Sequence, residues 1–303
     1  MNVTFGICTD LHCSYIHDSL SRLQAFFHAC KAEGVDFTID LGDFCLPDEK
    51  AGNEKDQLLS LLSQWDSSFY HVLGNHDMDP NSKQNVMDSL KMTSPYYSFD
   101  RGNVHFIVLD ASYYQVDNTY ISYDYGNYTR APEGSLLPVL PPFELEWLKQ
   151  DLASTNYPSI IFSHQSLIES RTGIQNAEAF RSVIRTAPAG VRMAICGHEH
   201  VDRLEQKEGV YYLCLNSISY YWAGANFDHT TYGDVYEKDH PHLRHVFPYK
   251  EPLYAIIQIH DDEICIKGTA SSIVGASPKS LQFHKPGLVD EVTASICDKT
   301  LLL

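Results

Sequence analysis

Residues 69–77, FYHVLGNHD, join a short apolar run to three polar side chains that follow it directly. The apolar run is typical of a buried strand. It ends at Gly74, and Asn75, His76 and Asp77 come next. Asparagine and aspartate are common in turns because their side chains bond nearby backbone, but a turn does not explain the histidine between them. The stretch therefore predicts a core strand whose carboxyl end carries functional groups.

Four other apolar runs end in the same way, with aspartate or histidine directly after the strand pattern. Helical patterns separate several of these runs, which favours βαβ units and a parallel sheet. Ligands of open α/β sheets bind beyond the carboxyl ends of the strands, so we expect these polar side chains to converge on one crevice. The residues at the five strand ends are Asp10 and His12, Asp43, Asn75, His76 and Asp77, His164, and His198 and His200.

The second half of the chain predicts a further sheet. The runs VRMAICGHEH, GVYYLCLNS, LYAIIQIH and EICIKGTA are typical of strands, and some follow one another without a long helix, which indicates partly antiparallel pairing. We expect one domain over residues 1–275, with covering insertions at 111–142 and 219–250, and a C-terminal surface extension at 276–303. A loop as long as the first insertion is usually functional or a covering flap.

Composition and charge argue against several classes of protein. The 303 residues include 39 acidic and 22 basic side chains, a net charge of −17 that opposes binding to a nucleic acid polymer. No apolar run approaches the roughly 20 residues that cross a bilayer, and the N-terminus lacks a signal-peptide pattern. We therefore expect no membrane partner and a cytoplasmic location, although removal of a leader would leave the same sequence. None of the eight cysteines forms a C-x-x-C pair, which favours reduced thiols.

The polar strand ends mean more as a set than singly. One aspartate or asparagine could be a helix cap or a turn residue, and one histidine could be hydrogen-bonded in the core. Five such ends in order are harder to explain structurally, because buried polar groups are costly without partners. Oxygen and imidazole ligands without thiolates suit Mn, Fe or Zn, and seven ligands are too many for one ion. Two ions that share a carboxylate would clamp the oxygens of a displacement at phosphorus and acidify a bridging water.

At these positions the chain resembles the calcineurin-like metallophosphoesterase superfamily. The resemblance implies an α/β fold, a four-layer αββα sandwich of two mixed sheets flanked by helices, with two metal ions at the carboxyl ends of the strands. It also implies hydrolysis of a phosphoester by a hydroxide that bridges both ions. The matching motifs are D-x-H at 10–12, G-D at 42–43, G-N-H-D at 74–77, His164, and G-H-x-H at 197–200.

The resemblance also implies a role for each residue at the strand ends. His76 would protonate the leaving oxygen, and Asp77 would hold the His76 imidazole in orientation. Asp43 would bridge the two metal ions. The remaining ligands would divide into Asp10, His12 and His200 for one ion, and Asn75, His164 and His198 for the other.

The chain departs from the family pattern at two places. Family members often read G-D-x-x-D at the second motif, where this chain has GDFCL and therefore Leu46. Purple acid phosphatases, a branch of the superfamily, carry a metal-binding tyrosine there and lack the ligand that His12 supplies, so we do not expect one. The run SHQS lacks the proline that often follows the fourth-motif histidine, which leaves the loop shape at His164 open.

The resemblance favours a diester or pyrophosphate substrate. Class III cyclic-nucleotide phosphodiesterases and ADP-ribose or CDP-alcohol diphosphatases share the D-x-H opening, whereas a phosphomonoesterase and a non-catalytic metal-binding platform stay open as alternatives. A metallo-β-lactamase-type site would need an H-x-H-x-D-H run, which the sequence lacks. The aromatic residues of both insertions could line a pocket for a nucleotide-like substrate or only pack the insertions. Arg130 and Arg171 could pair with a distal phosphate.

Overall fold

Two six-stranded β-sheets lie face to face at the centre of the molecule, and helices cover the outer face of each. The computed structural model describes residues 2–47, 53–65, 68–132, 137–169, 171–284 and 292–303. Among these residues, no helix is long and apolar enough to cross a membrane.

The α-helices are α1 Ser19–Glu33, α2 Glu54–Gln64, α3 Lys83–Ser89, α4 Pro142–Ser154, α5 Ala177–Ile184 and α6 Asp234–Glu237. The strands are β1 Val3–Cys8, β2 Phe37–Asp40, β3 Ser68–His71, β4 Tyr97–Arg101, β5 Val104–Val108, β6 Tyr113–Val116, β7 Thr119–Ser122, β8 Ser159–Phe162, β9 Val191–Cys196, β10 Arg203–Lys207, β11 Val210–Cys214, β12 Tyr220–Trp222, β13 Val246–Pro248, β14 Ala255–Ile259, β15 Glu263–Lys267 and β16 Lys299–Leu302.

Both large sheets combine parallel and antiparallel strands. The first has the order β16-β15-β14-β1-β2-β3, in which β1, β2 and β3 are parallel and the other strands pair antiparallel. The second has the order β10-β11-β9-β8-β5-β4, with four parallel central strands between two antiparallel edges. The predicted mixed pairing is therefore confirmed in both sheets. The assignment of all four late runs to the second sheet is wrong, because LYAIIQIH and EICIKGTA form β14 and β15, which pair antiparallel in the first sheet.

The largest apolar cluster lies between the two sheets. Val3, Phe5 and Ile7 alternate along β1 and contribute to this cluster, where Phe5 stacks on Phe37 at 4.9 Å between ring centroids. A second cluster packs α1 and α2 on the first sheet, and a third packs α4 and α5 on the second. Burial of apolar surface, worth roughly 25 cal/mol per Å², holds the layers in the order helix, sheet, sheet, helix. This confirms the predicted four-layer αββα sandwich.

The two insertions contain more regular structure than covering loops would. Residues 111–142 include the β6–β7 hairpin and a 3₁₀ helix at Asn127–Arg130, while 133–136 lie outside the described residues. Residues 219–250 include α6 and the paired strands β12 and β13. Their strands are three or four residues long, too short for a clear alternation in the sequence.

The C-terminal segment joins the first sheet. β16 pairs antiparallel with β15, and Ile296 and Leu301 are buried in the cluster between the sheets. The prediction of a surface extension over 276–303 is therefore wrong for its last residues, while 285–291 lie outside the described part. A strand of only four residues at a sheet edge shows too little periodicity to be recognised from sequence.

Candidate metal centre

All seven predicted ligands lie together where the parallel strands of the two sheets end. Six of them form two groups of three, and within each group the ligand atoms lie within 4.8 Å of one another. The seventh, Asn75, directly precedes His76, whose N–H donates to Asp43 Oδ1 at 2.7 Å. In the first group, His200 Nε2 lies 3.1 Å from Asp10 Oδ1. In the second, His164 Nε2 lies 3.2 Å from Asp43 Oδ2. The groups are Asp10, His12 and His200, and Asp43, His164 and His198. The first is the triad that the resemblance implies, and the second joins the implied bridging residue Asp43 to two of the ligands implied for the other ion.

The loops that carry these ligands hold an unusual backbone conformation. Left-handed backbone costs a non-glycine residue about 1 kcal/mol or more, so such residues persist only where surrounding contacts impose them. Here the Asp10 N–H donates to the Gly42 carbonyl at 3.0 Å. The His12 N–H donates to the Asp43 carbonyl at 2.9 Å, so the loops after β1 and β2 hold each other. The left-handed residues around the site are Asp10, His12, Asp43, Cys45, His198 and His200, with φ from 51° to 69°.

Backbone carbonyls fix the orientation of two histidines. His164 Nδ1 donates to the Leu41 carbonyl at 2.8 Å, and His200 Nδ1 donates to the Tyr220 carbonyl at 2.7 Å. A carbonyl can only accept, so the proton is on Nδ1 and Nε2 faces the carboxylates. This is the arrangement that metal-binding histidines commonly use.

The two carboxylates concentrate negative charge between the sheets. Burial alone would raise the pKa of the Asp10 carboxyl, but the facing His200 holds it well below its usual range. Burial would also raise the pKa of the Asp43 carboxyl, but the nearby His164 imidazole outweighs burial and lowers this pKa well below its usual range. Asp43 in turn outweighs burial at His164 and raises the pKa of that imidazole to about 10. Each carboxylate therefore favours a cation beside it.

The donor set fits two metal ions. Burial lowers the pKa of His12 to about 3 and that of His198 to about 4, so both imidazoles are neutral, whereas His164 would give up a proton to a metal ion that replaces its positive charge beside Asp43. Asp10 Oδ1 and Asn75 Oδ1 are buried without a hydrogen-bond partner. Unpaired buried oxygens are costly, and a cation between the groups would satisfy both atoms.

Asp77 does not hold the His76 ring, so this implication of the resemblance is wrong. Its carboxylate accepts from the backbone N–H groups of Gly74 at 2.8 Å, Asp43 at 3.0 Å and Cys45 at 2.7 Å. Burial raises the pKa of Asp77 to about 7, and the side chain is almost inaccessible. Asp77 therefore ties together the two loops that carry Asp43 and Asn75, because their N–H groups need an acceptor.

The partner of the His76 ring is Asp79. His76 Nδ1 lies 2.6 Å from Asp79 Oδ2, and the His76 N–H donates to Asp43 Oδ1 at 2.7 Å. The hydroxyls of Tyr15 and Tyr128 also donate to Asp79, at 2.9 Å and 2.6 Å. Sequence reasoning missed Asp79 and Tyr15, although the spacing H-D-M-D places a second carboxylate one helical turn after His76.

A cavity of about 170 Å³ opens beside the two ligand groups. Arg171 and Thr172 lie on its rim with Trp222 from the second insertion, whereas Arg130 is not among its lining residues. His76 lines the same cavity, and its side chain keeps 39% of its surface exposed. Of the two arginines considered from the sequence, only Arg171 is placed to meet a ligand at the centre.

Comparison with known proteins identifies similar chains. A family model described as calcineurin-like phosphoesterase matches residues 3–202, more than half of the chain. A 3′,5′-cyclic-nucleotide phosphodiesterase from Nostoc sp. is 27% identical over 193 residues, covering 61% of this chain and 64% of that protein. The match thus spans less than two thirds of the relative's length.

Two solved structures show the same fold. A dimetal phosphatase from Danio rerio has a TM-score of 0.63 at 18% identity, covering 91% of this chain and 99% of that one. The purple acid phosphatase PPD1 from Lupinus luteus has a TM-score of 0.50 at 11% identity, covering 98% of this chain and 53% of that one. At these identities the likeness is one of fold alone.

Proposed function

The chain belongs to the calcineurin-like phosphoesterase family, and on that premise we propose that it hydrolyses a small phosphodiester or nucleotide pyrophosphate with two bound metal ions. One observation carries the proposal: two complete ligand triads meet at the strand ends, beside a half-exposed histidine in an open cavity. The similarity to a cyclic-nucleotide phosphodiesterase favours a diester.

Each residue of the centre has a distinct part in holding the ions. Asp10, His12 and His200 would hold one ion, Asn75, His164 and His198 the other, and Asp43 both. Bound at these residues, the ions would supply positive charge for the phosphoryl oxygens and lower the pKa of a water molecule. Oxygen and imidazole donors are compatible with Mn, Fe or Zn.

His76 serves as the proton donor to the leaving oxygen. Its Nδ1 is engaged with Asp79, so Nε2 is the nitrogen available to a substrate in the cavity. General acid catalysis of this kind contributes typically about 10²–10⁴-fold. Arg171, on the rim, meets an anionic part of the substrate outside the scissile group.

The test is hydrolysis of bis(p-nitrophenyl) phosphate and of p-nitrophenyl phosphate by Mn²⁺-loaded protein, with His76→Ala beside the wild type. We expect preference for the diester and a loss of activity in His76→Ala, which reaches about 10²-fold or more for a diester with a poorer leaving group such as bis(phenyl) phosphate. His28→Ala, a change on the exposed face of α1, is the matched control and keeps full activity.

Each other outcome has a definite meaning. Preference for the monoester would assign a phosphatase instead. Absence of hydrolysis with both substrates, with cyclic nucleotides and with a nucleotide pyrophosphate such as ADP-ribose, in protein that binds metal, would overturn the proposal and favour a metal-binding platform.

A further inference from the structure

We infer that Asp79 is the positioning residue for His76, and that Tyr15 and Tyr128 hold its carboxylate in place for this role. The inference deepens the proposed function and rests on it. It assigns to the second carboxylate of the stretch HDMD the orientation of the proton donor.

The contacts of Asp79 leave its carboxylate little freedom. Oδ2 lies 2.6 Å from His76 Nδ1 and accepts from the Tyr15 hydroxyl at 2.9 Å. Oδ1 accepts from the Tyr128 hydroxyl at 2.6 Å. With both oxygens held, the carboxylate cannot rotate away from the imidazole. It therefore fixes the tautomer with a proton on Nδ1 and the direction in which Nε2 points.

Among the described residues, the alternatives for this role in the second and third motifs are occupied or apolar. Asp77 is nearest in sequence, but its two oxygens accept from three backbone N–H groups. At the end of the second motif, where family members often have aspartate, Leu46 is buried in the cluster between the first sheet and its helices. The position that could carry a carboxylate there is thus filled by an apolar side chain, and Asp79 supplies the carboxylate from another loop.

Three separate segments build this arrangement. Tyr15 follows β1, Asp79 follows β3, and Tyr128 belongs to the first insertion. The insertion is anchored at this point, because the Gly126 N–H donates to the Met78 carbonyl at 2.9 Å. The Tyr128 hydroxyl also lies 3.3 Å from Asn75 Nδ2, so the insertion reaches a proposed ligand as well as the acid. The first insertion thereby acts on the chemistry and not only as a cover.

The discriminating experiment compares diesters whose leaving phenols differ in pKa. Proton donation matters most for a poor leaving group, so bis(phenyl) phosphate should depend on Asp79 far more than bis(p-nitrophenyl) phosphate. We expect Asp79→Asn to lower kcat about 10- to 100-fold on the phenyl ester and less than about threefold on the nitrophenyl ester, with KM nearly unchanged. Tyr128→Phe should shift the same ratio in the same direction by a smaller factor. Asp117→Asn, in the exposed turn of the β6–β7 hairpin, should leave the ratio unchanged.

A double-mutant cycle separates positioning from general structural damage. In the His76→Ala background, Asp79→Asn should lower kcat by no further amount, because its effect passes through His76. An unchanged leaving-group ratio in Asp79→Asn, or equal losses with and without His76, would overturn the inference. Failure of the inference would leave the wild-type protein active on both esters. A wild-type protein that hydrolyses neither ester would instead count against the proposed function.

Discussion

The two large sheets contribute different chemistry to the same centre. The proposed donors that follow strands of the first sheet are oxygens with a single histidine among them, while those that follow strands of the second sheet are all imidazoles. The charge that attracts cations therefore comes from the first sheet, and the second adds neutral ligands. The first-sheet donors are Asp10, His12, Asp43 and Asn75, and the second-sheet donors are His164, His198 and His200.

The sheets also fix each other's ligands. His164 follows β8 in the second sheet, yet its Nδ1 donates to the Leu41 carbonyl after β2 in the first. The His198 N–H donates to Asp10 Oδ2 at 3.1 Å in the opposite direction. The centre is thus complete only when the sheets are packed, so changes at this junction should affect metal binding and stability together.

The largest effect should come from Asp43→Asn, which removes the central charge of the first sheet. Its carboxylate faces His164 Nε2 at 3.2 Å and His12 Nε2 at 3.9 Å, so both triads lose an anionic partner. We expect kcat/KM to fall about 10³-fold, since the metal ions contribute several kcal/mol to the reaction. Steady-state kinetics measures the fall in kcat/KM, with Asp56→Asn, an exposed change in α2, as the control. A fall below about tenfold would mean that the other ligands sustain the centre without the charge of Asp43.

Gly197→Ala should have an effect of intermediate size, on the free energy of unfolding, and it tests the junction between the two sheets. A Cβ at Gly197 would lie 1.9 Å from Thr9 Oγ1 and 2.7 Å from Asp10 Oδ2, so the strand ends must move apart. We expect a loss of about 1–3 kcal/mol in the free energy of unfolding, and a larger loss when metal is present. Urea unfolding with and without Mn²⁺ measures both quantities.

Gly34→Ala provides the matched control for this change. Gly34 ends α1 with φ of 65° and has open space around it, so alanine there introduces strain but no collision. Its loss of stability should be the same with and without metal. Equal behaviour of the two variants would show that the junction is not coupled to the ions.

The smallest effect should come from His105→Gln, in β5 of the second sheet and away from the metal centre. Its ring lies between Asp100 at 2.6 Å and Asp151 at 2.8 Å. Burial lowers the pKa of His105, but the two carboxylates outweigh it and raise the pKa above the ordinary value near 6.5.

The sign of the pH dependence follows from that shift. The stabilisation by His105 is fully present below the unfolded pKa and is lost as pH rises through the higher folded pKa. The free energy of unfolding of the wild type should therefore fall above pH 6.5 relative to His105→Gln, by no more than about 1–2 kcal/mol. Urea unfolding between pH 5 and pH 9 measures the difference, and a rise with pH would contradict the assigned pairing.

The sequence predicted the strand ends well because each motif is short, local and directly follows an apolar run. Contacts between residues from different loops could not be predicted from the sequence. Asp77 and Asp79 differ by two positions, but only the folded backbone directs the first to N–H groups and the second to His76. The edge strands β4 and β10 were missed because they are only partly buried and carry polar residues. The contribution of Tyr128 depends on how an insertion docks, which local patterns do not encode.

The most direct test of the account is the number of metal ions that each chain binds. Purified protein loaded with Mn²⁺ and freed of excess metal should contain about two ions per chain by elemental mass spectrometry, and His200→Ala, with one triad incomplete, about one. His105→Gln should keep both ions. A folded wild-type chain that binds only one ion, or none, under these conditions would contradict the claim that the two sheets together build a binuclear centre.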